Sequence, residues 1–153
     1  MTGVRWLAIL SVCALVSCAG SKETLHVRQF HLRVLEPETA GVDSIRAEIQ
    51  KRFHGAVSEE EKRNRLGHYY TIKWDGPEGR ENEAVRLVFQ CRQAATGSKV
   101  HQMEVKAPAG RKGHSELQLI GPAYLEGGRV LAWHLSFYRG TELIDTRQSY
   151  LWE

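Results

Sequence analysis

The sequence predicts a mainly β protein, an antiparallel β-sandwich with one or two short helices inserted after the first strand. Seven segments alternate apolar and polar residues over the length of a strand, and the breaks between them carry Gly or Pro. Helical spacing is confined to residues 43–66. An α+β sheet with its helices on one face is the competing architecture. With 153 residues, 42% hydrophobic and 25% charged, the chain fits one globular domain and excludes collagen-like, low-complexity and polytopic membrane classes.

The first strand is expected over residues 24–35. Leu25 and Val27 alternate, then Phe30, Leu32 and Val34 continue in the other register, a slip near Gln29 that predicts a bulge. Glu36-Pro37 ends it. Asp43 is placed to cap a helix whose Ile45, Ile49 and Phe53 share one face, with Gly55 as its stop. Ser58 and Glu61 have capping-box spacing, so a second short helix follows to about Leu66.

From Gly67 the period changes to two. Tyr70, Ile72 and Trp74 face one way and Tyr69, Thr71 and Lys73 the other. After the turn residues Asp75 to Gly79, Val85, Leu87, Phe89 and Cys91 form another inward face, and the two strands are expected to be antiparallel neighbours. Met103 and Val105 point inward from a strand near 99–106, Pro108 to Gly113 forms a basic loop, and Leu117 and Leu119 mark the next strand. Gly121-Pro122 and Gly127-Gly128 bracket a loop. Leu131, Trp133, Leu135 and Phe137 then alternate with Ala132, His134, Ser136 and Tyr138. The last strand, about Glu142 to Trp152, is apolar in both registers, and either face of it can meet protein.

The N-terminus reads as a targeting segment. Met1 to Arg5 carries one positive charge, and the apolar run from Trp6 to Val16 would span only about 16 Å as a helix, half of a bilayer core. Leu15, Val16, Ser17 and Cys18 resemble a bacterial lipobox, which implies that residues 1–17 are a lipoprotein signal peptide and that Cys18 becomes the lipidated first residue. Residues 18–23 are then a tether and 24–153 a single β-rich domain. The resemblance further implies acyl chains such as palmitate on Cys18 and stable membrane anchoring. Ala19, Gly20 and Ser21 follow the cysteine with no Asp beside it, so the cell outer membrane is the default destination within the bacterial envelope.

Cysteine usage agrees with that organisation. Cys13 leaves with the signal, Cys18 takes lipid, and Cys91 remains alone with no intramolecular disulfide partner. Removing residues 1–17 leaves 136 residues, enough for one core without staples. Lys plus Arg exceeds Asp plus Glu by 21 to 18, too little to argue for nucleic acid.

Candidate chemistry is sparse. His26 and His31 fall on opposite strand faces unless the expected bulge reunites them, and His101 with Glu104 has the same parity mismatch. A remote pairing such as His114 with His134 needs the fold to be known. No Gly-x-Ser-x-Gly elbow, zinc-protease helix or P-loop is present, and Gly113-His114-Ser115 is only a tripeptide. Cys91 shares parity with Val85, Leu87 and Phe89 and is expected to be a core residue rather than a nucleophile. Glu59 to Glu61 suit a helix N-terminus. Lys51-Arg52, Lys62-Arg63-Arg65 and Arg111-Lys112 would suit an anionic lipid or polymer, but they lie in different elements and make no single stripe in the sequence.

An inward Trp133 on a late strand is similar to small immunoglobulin-like domains of envelope lipoproteins, a resemblance that covers residues 114–152; the paired cysteines of true antibody domains are missing. The expectation is a non-catalytic lipoprotein that binds an envelope protein, glycan or lipid partner, with no catalytic residue, metal or cofactor. A periplasmic hydrolase assembled from distant strands is the alternative.

Overall fold

The computed structural model describes residues 23–33 and 41–152. The expected signal peptide over residues 1–17, the Leu15 to Cys18 motif and Val34 lie outside the described residues. The elements run β1 (Leu25–Leu32), α1 (Asp43–Phe53), α2 (Glu59–Arg63), β2 (Gly67–Asp75), β3 (Val85–Gln93), β4 (Val100–Ala107), β5 (Lys112–Ile120), α3 (Pro122–Gly127), β6 (Val130–Arg139) and β7 (Glu142–Gln148). They form two antiparallel sheets, β1-β2-β5 and β4-β3-β6-β7, packed face to face. If the strands are lettered A, B, C, C′, E, F and G in chain order, one sheet is ABE and the other C′CFG. The fold is therefore an immunoglobulin-like β-sandwich with two helices inserted after the first strand.

The core is the set of inward positions read from alternation. Tyr70, Ile72 and Trp74 of β2 and Leu117 and Leu119 of β5 meet Val85, Leu87, Phe89 and Cys91 of β3 and Leu135 and Phe137 of β6. Met103 and Val105 close the β4 side and Ile144 the β7 side. Leu143, the neighbour of Ile144, is exposed on an edge strand, which settles the ambiguous last segment.

Several local expectations are corrected. β1 pairs with β2 without interruption from Leu25 opposite Trp74 to Leu32 opposite Gly67, so there is no bulge at Gln29. The change of register has another cause: Leu25 and Val27 face the inter-sheet core, while Phe30 and Leu32 face outward against Ile49 and Phe53 of α1. The strand is apolar on both faces because it is covered on both. β2 and β3 are not neighbours; the Asp75 to Gly79 turn carries the chain across the sandwich into the other sheet. Val42, not Asp43, is the N-cap of α1, and Asp43 stands in the first turn, where its charge suits the helix dipole. The predicted loop 121–128 contains α3, with Pro122 in its first turn. In β6 the β3 register shifts between Arg92 and Gln93, leaving Leu131 as an extra, 42% exposed residue, and Trp133 is only half-buried. The Ser58–Glu61 capping box forms in both directions.

One end of the sandwich is held by a buried cation. Arg139, at the end of β6, donates to the carbonyls of Glu83, Gly110 and Arg111, tying together two inter-strand connections. Gly76 packs against it; a Cβ there would stand 2.8 Å from a guanidinium nitrogen.

Candidate functional site

The outer face of the β1-β2-β5 sheet is built in rows, because directly opposed residues of antiparallel strands project to the same side. His26, Lys73 and His114 form one row, and Arg28, Thr71 and Glu116 the next. Phe30, Tyr69 and Gln118 form the third, and here α1 covers the sheet through Ile49 and Phe53. Between the helix and the first two rows lies a groove of about 650 Å³, lined also by Glu48, Lys51, Arg52 and Ser115. A smaller hollow of about 240 Å³ continues past Lys51 and Arg52 to Arg65 and Tyr69.

Arg52 organises the groove's acids. Its guanidinium bonds Glu48 at 2.7 Å and Glu116 at 2.6 Å and lies 4.2 Å above the ring of Tyr69. Burial raises the Glu116 carboxyl, but hydrogen bonds from Arg52 and Gln118 outweigh it and hold the group below the usual carboxylate range. Burial likewise lowers Arg52, and its two carboxylate partners more than reverse that. Both acids are thus engaged by Arg52. Arg28, Lys51 and Lys73 have no hydrogen-bond or ion-pair partner among the described residues, while His26 lies 3.6 Å from Glu23. With both histidines neutral, the lining carries two more positive than negative charges.

For hydrolysis the groove lacks a paired nucleophile and base. Ser115 is a lining residue, but its cross-strand partner is Ile72 of the core, so its hydroxyl belongs to the inner face. His26 and His114 stand on either side of Lys73, with neither carboxylate free to orient them.

A second cluster lies on the inner face near α3. His31 and His68 oppose one another across the β1–β2 ladder, and their rings stack at 3.9 Å. His31 Nε2 lies 2.8 Å from the Tyr124 hydroxyl. The Val130 amide donates to His68 Nε2 at 3.1 Å, which leaves the ring proton on Nδ1, 3.0 Å from the side-chain amide of Gln29. Trp133 Nε1–H donates to the other end of the Gln29 amide at 3.2 Å. Burial, then the neighbouring His31, lowers His68 to about 4, and the Val130 N–H leaves a second ring proton on Nε2 without an acceptor. His31 is lowered by burial and by Arg33 and Arg129. These are neutral, packed imidazoles at pH 7.

The other residues singled out in the sequence have structural places. His26 and His31 do fall on opposite faces, and His114 and His134 lie in different sheets, the latter stacked on Trp152 at 5.8 Å. Glu104 pairs with Arg86 at 3.8 Å. Gly113-His114-Ser115 lies within β5. Cys91 is fully buried, and burial pushes its thiol up to about 11. Lys62 pairs with Glu59, Arg65 donates to the Arg52 and His54 carbonyls at the end of α1, and Arg111 and Lys112 share Asp75. Of the three basic groups only Lys51-Arg52 enters the groove. Its partners Arg28 and Lys73 escaped the sequence analysis because the stripe runs across strands; their outward parity with His26 and Thr71 was the available clue. Among the described residues no three His, Cys, Asp or Glu side chains are placed to hold a metal ion, and no helix is long and apolar enough to cross a membrane.

No protein-family model matches the chain, and no curated protein matches it. Among solved structures it is similar to an immunoglobulin-like protein from Pseudomonas aeruginosa, at 18% identity and a TM-score of 0.35, over 54% of this chain and 70% of that one.

Proposed function

We propose that this chain is a bacterial envelope lipoprotein, acylated on Cys18 and held at the outer membrane, whose β-sandwich is a non-catalytic binding module. The observation that carries the binding role is the groove beside α1. Its two carboxylates are consumed by Arg52, and the groups without a partner among the described residues are the cations Arg28, Lys51 and Lys73. Such a lining attracts and orients a partner but supplies no nucleophile with a free base. The anchoring role is supported by the Leu15 to Cys18 motif and the short apolar run before it.

A hydrolase at the same place would have to recruit His26 or His114 without a free carboxylate, and the engaged state of Glu48 and Glu116 argues against it. Fractionation of cells expressing the wild type and Cys18→Ala tests the proposal. The wild type should sediment with membranes as a processed, acylated chain. The variant should take up no acyl label and should be either unprocessed or soluble. Identical labelling and processing of the two proteins would refute the anchor.

A further inference from the structure

We propose that the groove between α1 and the β1-β2-β5 sheet holds the phosphate of an anionic phospholipid in the membrane that carries the anchor, an inference that rests on acylation of Cys18. Three features lead to it. His26, Lys73 and His114 cross the sheet in one line, Arg28 stands in the adjacent row and Lys51 overhangs from the helix, so five basic side chains from four elements border one concavity. The acids that could neutralise them, Glu48 and Glu116, are taken by Arg52. Glu23, beside His26, is taken by Arg147 at 2.8 Å.

The second feature is position. His26 is the second residue of β1 and lies eight residues after Cys18, so an extended chain keeps it within roughly 28 Å of the acylated residue. A tether of that reach lets the basic row meet the surface of the membrane that holds the anchor. The third is the mixed character of the lining. Phe30 and Thr71 lie beside the cations, an apolar and polar surface that matches the glycerol and upper acyl atoms of a lipid better than a bare inorganic anion. Electrostatic attraction of this kind acts over a Debye length of about 8 Å in physiological salt, within reach of such a tether.

The test uses the full chain, purified from its own cells in a neutral detergent at physiological salt. It is titrated with dioctanoyl-phosphatidylglycerol, dioctanoyl-phosphatidylcholine and inorganic phosphate. Saturable binding of the phosphatidylglycerol is expected, at least tenfold tighter than either of the others. The double variant Arg28→Gln/Lys73→Gln should bind it at least tenfold more weakly while melting at the wild-type temperature, since both side chains are exposed and have no partner among the described residues. Equal binding of the two lipids, unchanged binding by the double variant, or inorganic phosphate bound as tightly as the lipid would overturn the proposal. The intact mass of the same preparation reports the Cys18 adduct separately. An unmodified Cys18 with groove binding retained contradicts the anchor and not the anion site.

Discussion

The indole of Trp74 lies over Gly113, its partner across the β2–β5 ladder, and a methyl group on that glycine would stand 2.7 Å from Trp74 Cε2. A glycine inside a strand normally weakens it, but here the missing side chain is replaced by the aromatic ring of the neighbouring strand. Trp74 is held between Gly113 and Phe137, whose ring centroid is 6.2 Å away. Gly113→Val should therefore push the indole off its seat and destabilise the domain by about 1–3 kcal/mol. Urea midpoints with an unchanged m-value would establish this, and a neutral substitution would mean that Trp74 has room to move.

The two inward tryptophans should differ in weight. Trp74 is 5% exposed, whereas Trp133 sits at the rim of the core with its Nε1–H on Gln29. Trp74→Ala is expected to cost about 3–5 kcal/mol, and Trp133→Ala about 2 kcal/mol because its cavity opens to solvent. Equal losses in parallel denaturation curves would contradict that ranking.

Cys91 should be chemically silent in the native state. Its burial and raised thiol leave almost no thiolate at neutral pH. Labelling by a thiol reagent at pH 7.5 should be slow and track global unfolding, then become rapid in denaturant. Fast native labelling would place the thiol at the surface.

His68 should make stability depend on pH. Its folded-state value of about 4 is below the ordinary 6.5, so the unfolded chain takes up a proton first as the solution is acidified. The contribution is fully present above pH 6.5 and is lost as pH falls towards 4, up to roughly 3 kcal/mol, with His31 acting in the same direction. His68→Phe loses the acceptor for the Val130 amide and is less stable at every pH, but its stability should fall less between pH 7.5 and 4.5 than that of the wild type. The same slope in both proteins would assign the acid sensitivity to carboxylates instead.

Much of the fold is legible in period-two alternation. The inward sets Tyr70-Ile72-Trp74, Val85-Leu87-Phe89-Cys91 and Leu135-Phe137 can be read directly, as can the Ser58–Glu61 cap, because each depends on neighbours in sequence. What could not be read depends on tertiary choices. Phe30 and Leu32 suggested a bulge because nothing local tells that a helix will cover the outer face of β1. The Asp75 to Gly79 turn has the same chemistry whether it closes a hairpin or crosses the sandwich. The basic groove joins His26, Arg28, Lys51, Lys73 and His114 only through register, and the His31–His68 stack has the same origin.

The central claim, a β-sandwich tethered to the membrane by an acylated Cys18, is tested most directly by the mass of the native N-terminal peptide. Trypsin should release Cys18 to Lys22 from membrane-extracted protein, since Lys22 is the first cleavage site after the predicted processing point. The account predicts that this peptide begins at Cys18 and carries diacylglycerol, with a further acyl chain on its amino group. A native chain that begins at any other residue, or an unmodified Cys18, would contradict it.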